Sequence, residues 1–214
     1  MNRGEVWYVR LLHGIIARPV VYDAIQRIAG VERTRMRLRP HLQRTVGLVL
    51  DIGAGTGNFL DLLPSAGRYI WFDNDPVKLK GCKNKHSAAL AVLGDASRMP
   101  IRDKSVEIAL CVAVSHHLTD GEFDSFLADA ARISRRGIIF VDATSHPHSL
   151  MSWLLWKYDR GSHPRPVGQL RGMIQRHFNI EFEECYRVFH RYFLCVATPV
   201  RDPARSCRHT GVCP

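Results

Sequence analysis

Residues 46–59 read VGLVLDIGAGTGNF, an apolar run that ends in Asp51 and meets glycines at 53, 55 and 57. An apolar run that stops at a glycine-rich stretch is the pattern of a buried strand turning into a helix, and turns of this kind hold nucleoside-bearing cofactors in many α/β proteins. A dinucleotide fingerprint needs GxGxxG, but here the third glycine falls one position early and Asn58 stands where the last glycine belongs. A phosphate loop needs Lys followed by Ser or Thr after its last glycine, whereas Asn58 and Phe59 follow Gly57. Both phosphate-binding readings fail, and the pattern that remains is DxGxGxG. Alternate glycines let the backbone turn tightly and approach a ligand with no Cβ in the way.

Outward from this turn, strand and helix periods alternate. Val46 to Leu50 reads as a buried strand, Asn58 to Leu63 as the helix after the turn, Tyr69 to Phe72 as a second strand and Pro76 to Cys82 as a second helix. Ala89 to Leu93, Val106 to Val112 and Gly137 to Val141 read as further strands, with Glu122 to Ile133 as a helix between the last two. Such alternation specifies a parallel sheet covered by helices on both faces, because parallel strands need crossovers. Before the turn, 19–29 and 31–44 look helical, with Pro19 near one start and Gly30 as a stop. After it, 149–158 (SLMSWLLWKY) is apolar almost all round and 159–166 is a polar loop. Residues 167–177 look helical, and 180–186 with 188–197 are close enough for an antiparallel hairpin that closes the sheet. The expected organisation is a basic helical extension at 1–44, an α/β domain at 45–200 with a lid-like insertion at about 147–166, and a disordered tail at 201–214.

A chain of 214 residues with 46% apolar and 23% charged side chains has enough material for one domain with a substantial core. No apolar run approaches the ~18–20 residues of a spanning helix, and Arg10, His13 and Arg18 interrupt the first twenty residues where a signal peptide needs an unbroken centre. A cytoplasmic protein is expected, with its six cysteines reduced because they show no framework spacing. The net charge of +10 is uneven: nine Lys/Arg against three Asp/Glu over 1–44, eleven against twelve over 45–146, and ten against five over 147–214. Basic flanks on a neutral middle face either solvent or something acidic, such as an anionic substrate, a membrane surface or nucleic acid.

The DxGxGxG stretch resembles the first motif of the class I S-adenosylmethionine-dependent methyltransferases, and the resemblance covers roughly residues 46–142 well and the flanks poorly. It implies an α/β, Rossmann-like class I methyltransferase fold: a mostly parallel seven-stranded sheet closed by an antiparallel hairpin, helices on both faces. It also implies S-adenosylmethionine as cofactor. Asp51, Gly53, Ala54, Gly55 and Gly57 would then meet its methionine end, where the following helix presents unpaired N–H groups to the carboxylate. The Asp51 carboxylate could order the loop amides and offset the ammonium and sulfonium charges. Asp73 ends the next strand twenty residues after Gly53, the spacing at which an acidic residue meets ribose hydroxyls in Rossmann-like sites. In the resembling family this position binds ribose and the neighbouring Asn74 lies against adenine. The stretch GDASRMPIRDKSVEIALCVAVSHHL from Gly94 matches the family in part, with Asp95 and Ala96 at the adenine positions, Met99-Pro100-Ile101 for its "lPf" triplet, and Glu107 where Asp is usual.

Ligands of open parallel sheets bind outside the carboxyl ends of the strands, so a methyl acceptor belongs near 113–118 and 142–146. That puts Ser115, His116 and His117 at the mouth, where a histidine could take a proton as the methyl moves, with Asp142 a further candidate. Histidines here also serve structurally, orienting the loop. Trp153 and Trp156, with three leucines and a methionine close by, suit a hydrophobic lid over an apolar or aromatic acceptor, although a helix that only packs on the sheet has the same composition. Tyr158, Asp159, Arg160, His163 and Arg165 around Gly161 suit an acceptor-binding loop or a solvated one. His146-Pro147-His148 and the tail residues Cys207, His209 and Cys213 lack the spacing of a zinc site, and no metal is expected. The leading function is a small-molecule methyltransferase, with peripheral membrane contact open to it. An RNA methyltransferase is the alternative, supported by the basic flanks and the Arg33, Arg35, Arg37, Arg39 series, but without a recognisable RNA-binding module or an NPPY-like tetrapeptide after the fourth strand. A non-catalytic cofactor-binding scaffold is the third class.

Overall fold

The computed structural model describes residues 31–64, 68–86, 90–145, 163–188 and 190–200. The expected helix at 19–29, the apolar segment at 149–158 and the tail at 201–214 lie outside these residues. Seven strands form one sheet: β1 (Leu48–Ile52), β2 (Arg68–Asp73), β3 (Leu90–Leu93), β4 (Val106–Val112), β5 (Ser134–Ala143), β6 (Phe178–Arg187) and β7 (Arg191–Pro199). Their order is β3-β2-β1-β4-β5-β7-β6. The first five run parallel, and β7 pairs antiparallel with both β5 and β6. This is the Rossmann-like, hairpin-closed sheet that the alternating pattern specifies. The order reverses between β1 and β4, which opens a crevice at their carboxyl ends.

Among the described residues, four α-helices cover the sheet: α1 (Val31–Leu42), α2 (Pro76–Lys85), α3 (Asp120–Ile133) and α4 (Val167–Gln175). In α3 the residues Phe123, Phe126, Leu127, Ala130 and Ile133 recur at helical spacing and are fully buried with α4 residues Leu170, Met173 and Ile174 on one face. A Thr119–Glu122 capping box starts this helix. Leu38 and Leu42 of α1 and Leu79 and Cys82 of α2 pack on the opposite face around Trp71.

Three differences from the sequence reading bear on the site. β1 starts at Leu48 because Val46 is 73% exposed, so Asp51 lies inside the strand and is buried. The expected helix at 58–63 is only a single 3-10 turn, Leu60–Leu62. Three left-handed glycines stand immediately before that segment, and Pro64 pushes Leu63 into an extended conformation (ψ 150°), leaving too few residues between them to propagate a helix. β5 begins at Ser134, directly after α3, with Gly137 at φ 122° near a register shift against β4.

Candidate functional site

The glycine turn leaves β1 at the switch point. Gly53, Gly55 and Gly57 have φ of 70°, 55° and 76°, a region that other residues enter only at a cost. Space is short as well. A Cβ on Gly53 would lie 2.2 Å from Val114 Cγ2, and one on Gly57 2.5 Å from Trp71 Nε1 and 2.6 Å from Cys82 Sγ. The Gly53 amide donates to the Phe72 carbonyl at 2.7 Å, tying the turn to the end of β2.

Asp73 is the carboxylate that orders this loop. Its Oδ2 accepts from the Gly55 amide at 2.8 Å and its Oδ1 from the Asp75 amide at 2.8 Å. Its carbonyl accepts from the Gly94 amide at 3.0 Å, which brings the loop after β3 alongside the loop after β2. Asn74 is exposed on the one, Asp95 is exposed on the other, and Asp95 Oδ1 fixes the latter by accepting from the Ser97 amide at 2.8 Å and hydroxyl at 2.9 Å. Ala96 packs, half-buried, on the core.

Asp51 behaves differently from the sequence expectation. Its side chain accepts from the Tyr69 hydroxyl on the face occupied by Trp71. Burial, only partly opposed by that hydrogen bond, raises its pKa to about 8. Burial thus favours the neutral carboxyl of Asp51, which bonds to Tyr69 below the turn, and it is Asp73 that makes the contacts to the loop amides. The helix N-terminus expected to offer free amides after Gly57 is likewise replaced by the 3-10 turn.

Across the crevice, the end of β4 leads through Ala113, at φ 57°, into a second 3-10 turn, Ser115–His117. Asp142 of β5 anchors it. Asp142 Oδ2 accepts from the Ser115 hydroxyl at 2.5 Å and the His116 amide at 3.2 Å, and Oδ1 lies 2.6 Å from His116 Nδ1 and accepts from the Ala143 amide at 2.7 Å. Burial alone would raise Asp142, but the facing His116 and these hydrogen bonds outweigh it and hold the carboxyl below the ordinary value. His116 is buried, whereas His117 is exposed with its ring 4.2 Å from that of His116.

Arg165 completes this side and was not legible as part of it. The sequence places it in an acceptor-binding or solvated loop, yet it is 2% exposed. Its guanidinium donates to the Ser115 and Leu118 carbonyls, both at 2.7 Å, and to Asp120 at 2.8 Å, and stacks 4.9 Å from the Phe123 ring centroid. A single arginine between two prolines gives no sequence signal for that role. Trp153, Trp156, Tyr158 and Arg160 lie outside the described residues, as do the His146/His148 and Cys207/His209/Cys213 groups.

The arginines that supported an RNA reading are largely engaged within the protein. Arg33 donates to the Arg187 carbonyl at 3.2 Å, Arg35 to the Asn58 carbonyl and to Asp61, and Arg37 pairs with Glu184 at 3.3 Å over the Tyr186 ring. Arg39 of the series is exposed. No helix among the described residues is long and apolar enough to cross a membrane.

Comparison with known proteins agrees with this geometry. Residues 50–141 match the family model described as a methyltransferase domain. The chain is 30% identical over 138 residues to a phthiotriol/phenolphthiotriol dimycocerosates methyltransferase of Mycobacterium tuberculosis, an overlap of 62% of this chain and 48% of the relative. It thus spans about half the length of the curated relatives it matches. A solved S-adenosylmethionine-dependent methyltransferase from Methanosarcina mazei shares the fold with a TM-score of 0.65 at 14% identity, covering 76% of this chain and 97% of that one. A protein from Pyrococcus horikoshii aligns with a TM-score of 0.63 at 19% identity over 79% and 91%. Residues 50–141 are thus similar to a methyltransferase domain, and the hairpin-closed seven-stranded sheet has the fold of a solved S-adenosylmethionine-dependent methyltransferase.

Proposed function

We propose that this chain transfers the methyl group of S-adenosylmethionine to a small apolar or aromatic acceptor. The observation that carries the cofactor assignment is the DxGxGxG turn, with three left-handed glycines and a loop amide fixed by Asp73 at the end of β2. A nucleoside cofactor without phosphates fits such a cradle: the turn has no room for a Cβ at Gly53 or Gly57 and carries no phosphate-binding lysine. Gly53, Ala54, Gly55 and Gly57, above Asp51, would hold the methionine end. Asp73 would take the ribose, and Asn74, Asp95 and Ala96 the adenine. When bound, the cofactor supplies an electrophilic methyl carbon on a sulfonium.

The protein's own part is then to align the acceptor and handle its proton. Alignment alone contributes on the order of 7–11 kcal/mol in favourable cases. Asp142 fixes the His116 ring and stays ionised, so it stabilises positive charge on the imidazole, and His117 stands exposed beside it. These two histidines are the candidate proton acceptors, with Asp142 and Arg165 as the groups that position them.

An apolar acceptor is supported by the composition of 149–158, with Trp153 and Trp156, and of the following Tyr158 and Arg160. Relatives named for dimycocerosates methylation agree in kind. The test is incubation of cell extract with methyl-labelled cofactor and the purified chain, followed by partition of product. Label in the organic phase is the expected result. Label confined to nucleic acid or to protein would overturn the acceptor class, and calorimetry showing no cofactor binding would overturn the reading itself.

A further inference from the structure

Only six of the 30 basic residues are lysines, and four of those six, Lys78, Lys80, Lys83 and Lys85, lie on α2. The helix carries no acidic residue, and its Leu79 and Cys82 face the core, so Lys80, Lys83 and Lys85 are exposed. Beside it runs β3, the edge of the sheet. Edge strands normally carry a charge or a proline against chance association, but β3 reads LAVL, with Leu90 62% and Leu93 60% exposed. Val77 at the start of α2 is exposed too. Between the two elements lies a shallow, open groove of about 350 Å³ lined by Pro76, Leu79, Lys80, Lys83, Ala91 and Leu93.

Charge and chemistry select the occupant. A second copy would bring two lysine clusters face to face. A nucleic acid would gain the ammonium groups but would bury bases against aliphatic side chains, where single-strand binding uses aromatic stacking. We propose that the α2/β3 edge docks on an anionic lipid surface, with the lysines on headgroup phosphates and Val77, Leu90 and Leu93 in the interfacial layer. Pro76, Val77 and Leu93 lie at the carboxyl ends of β2 and β3, while Leu90, Lys83 and Lys85 lie towards the other end, so the contact runs along the edge of the sheet. This contact is independent of the acceptor's identity: methyl transfer to a soluble apolar compound can survive its loss.

The experiment is co-sedimentation of the whole chain with vesicles of equal parts phosphatidylglycerol and phosphatidylcholine, and with phosphatidylcholine alone. Binding is expected only to the acidic vesicles, and is expected to fall steeply with salt. Lys80→Glu/Lys83→Glu is expected to lower partition about ten-fold or more. Val77→Ser/Leu90→Ser is expected to lower it several-fold, with melting temperature and cofactor affinity unchanged in both pairs. Lys80→Gln/Lys83→Gln gives the same comparison without charge reversal, should the first pair fold poorly. Absence of binding to acidic vesicles overturns the proposal, and so does undiminished binding by both lysine pairs, which would assign the contact to the basic flanks. A dimer abolished by Val77→Ser/Leu90→Ser, or RNA binding lost with the lysines while vesicles are ignored, would replace lipid by a second copy or by nucleic acid.

Discussion

Two carboxylates lie near the glycine turn, and their surroundings give them opposite duties. Asp73 accepts two backbone amides, from Gly55 and Asp75, and so holds the loop in shape before any ligand hydroxyl arrives. Asp73→Ala removes both, and cofactor affinity is expected to fall by about 1.5–3 kcal/mol, the scale of hydrogen bonds to a charged group; calorimetry with unchanged affinity would take Asp73 out of the site. Asp51 is buried against Tyr69, with its pKa raised to about 8. An unfolded aspartate titrates near 4, so between roughly pH 4 and 8 the folded chain holds a proton that the unfolded chain has released. Unfolding free energy therefore falls as pH rises through that window, by at most about 1.4 kcal/mol per pH unit from this group, and the decline ends above about pH 8. Asp51→Asn keeps the shape and removes the titration. Its melting temperature is expected to gain on the parent's steadily from pH 5 to 8, and a constant difference between the two would show that Asp51 is already ionised in the fold.

Among the elements, what could be read in advance follows from which interactions are local in sequence. The period of Phe123, Phe126, Leu127, Ala130 and Ile133 and the Thr119–Glu122 box define α3 without any knowledge of its partners, and the apolar run of β4 defines itself in the same way. The glycine spacing and the acidic end of β2 were equally legible, because a tight turn imposes its residue types locally. The short 3-10 turn at Leu60–Leu62 was not, since the helical pattern of 58–63 outweighed the extended bias that Pro64 imposes on Leu63. Arg165 was hidden for a different reason: its partners, Ser115, Leu118 and Asp120, are 45 to 50 residues away. Its removal gives the test of how the mouth is held. Arg165→Met leaves the buried Ser115 carbonyl and the half-buried Leu118 carbonyl without their donor, costing roughly 2–4 kcal/mol. Turnover is expected to fall further than cofactor affinity, because the Ser115–His117 turn belongs to the acceptor side. If calorimetry instead finds cofactor affinity falling in step with turnover, Arg165 supports the whole crevice and not its acceptor wall.

At the scale of the whole molecule, α1 joins parts that are far apart in the chain. On one side Arg35 donates to the Asn58 carbonyl and forms a bidentate pair with Asp61 at 2.9 and 2.5 Å, gripping the exit of the glycine turn. On the other, Thr34 and Tyr186 share a hydrogen bond of 2.7 Å while Arg37 lies over the same ring, gripping the antiparallel hairpin. Arg33, Arg35 and Arg37 thus serve internal contacts, which weakens the charge argument that this series gives for nucleic acid and makes α1 a strap between the glycine turn and the hairpin. Asp61 is largely exposed, so the pair is screened and its direct worth is about 1 kcal/mol or less. Its positional worth is greater. Arg35→Leu is expected to lower the melting temperature by only a few degrees and to weaken cofactor binding several-fold, because Asn58 follows the last glycine directly. Arg39→Glu, on the exposed face of the same helix, is expected to change neither. An RNA-binding flank requires the reverse order, since the exposed arginine would meet phosphate and the engaged one would not. Cofactor titrations, melting curves and turnover on these two variants separate the cases: loss of turnover in Arg39→Glu with a normal Arg35→Leu would mean that the flank is a substrate surface and not a strap.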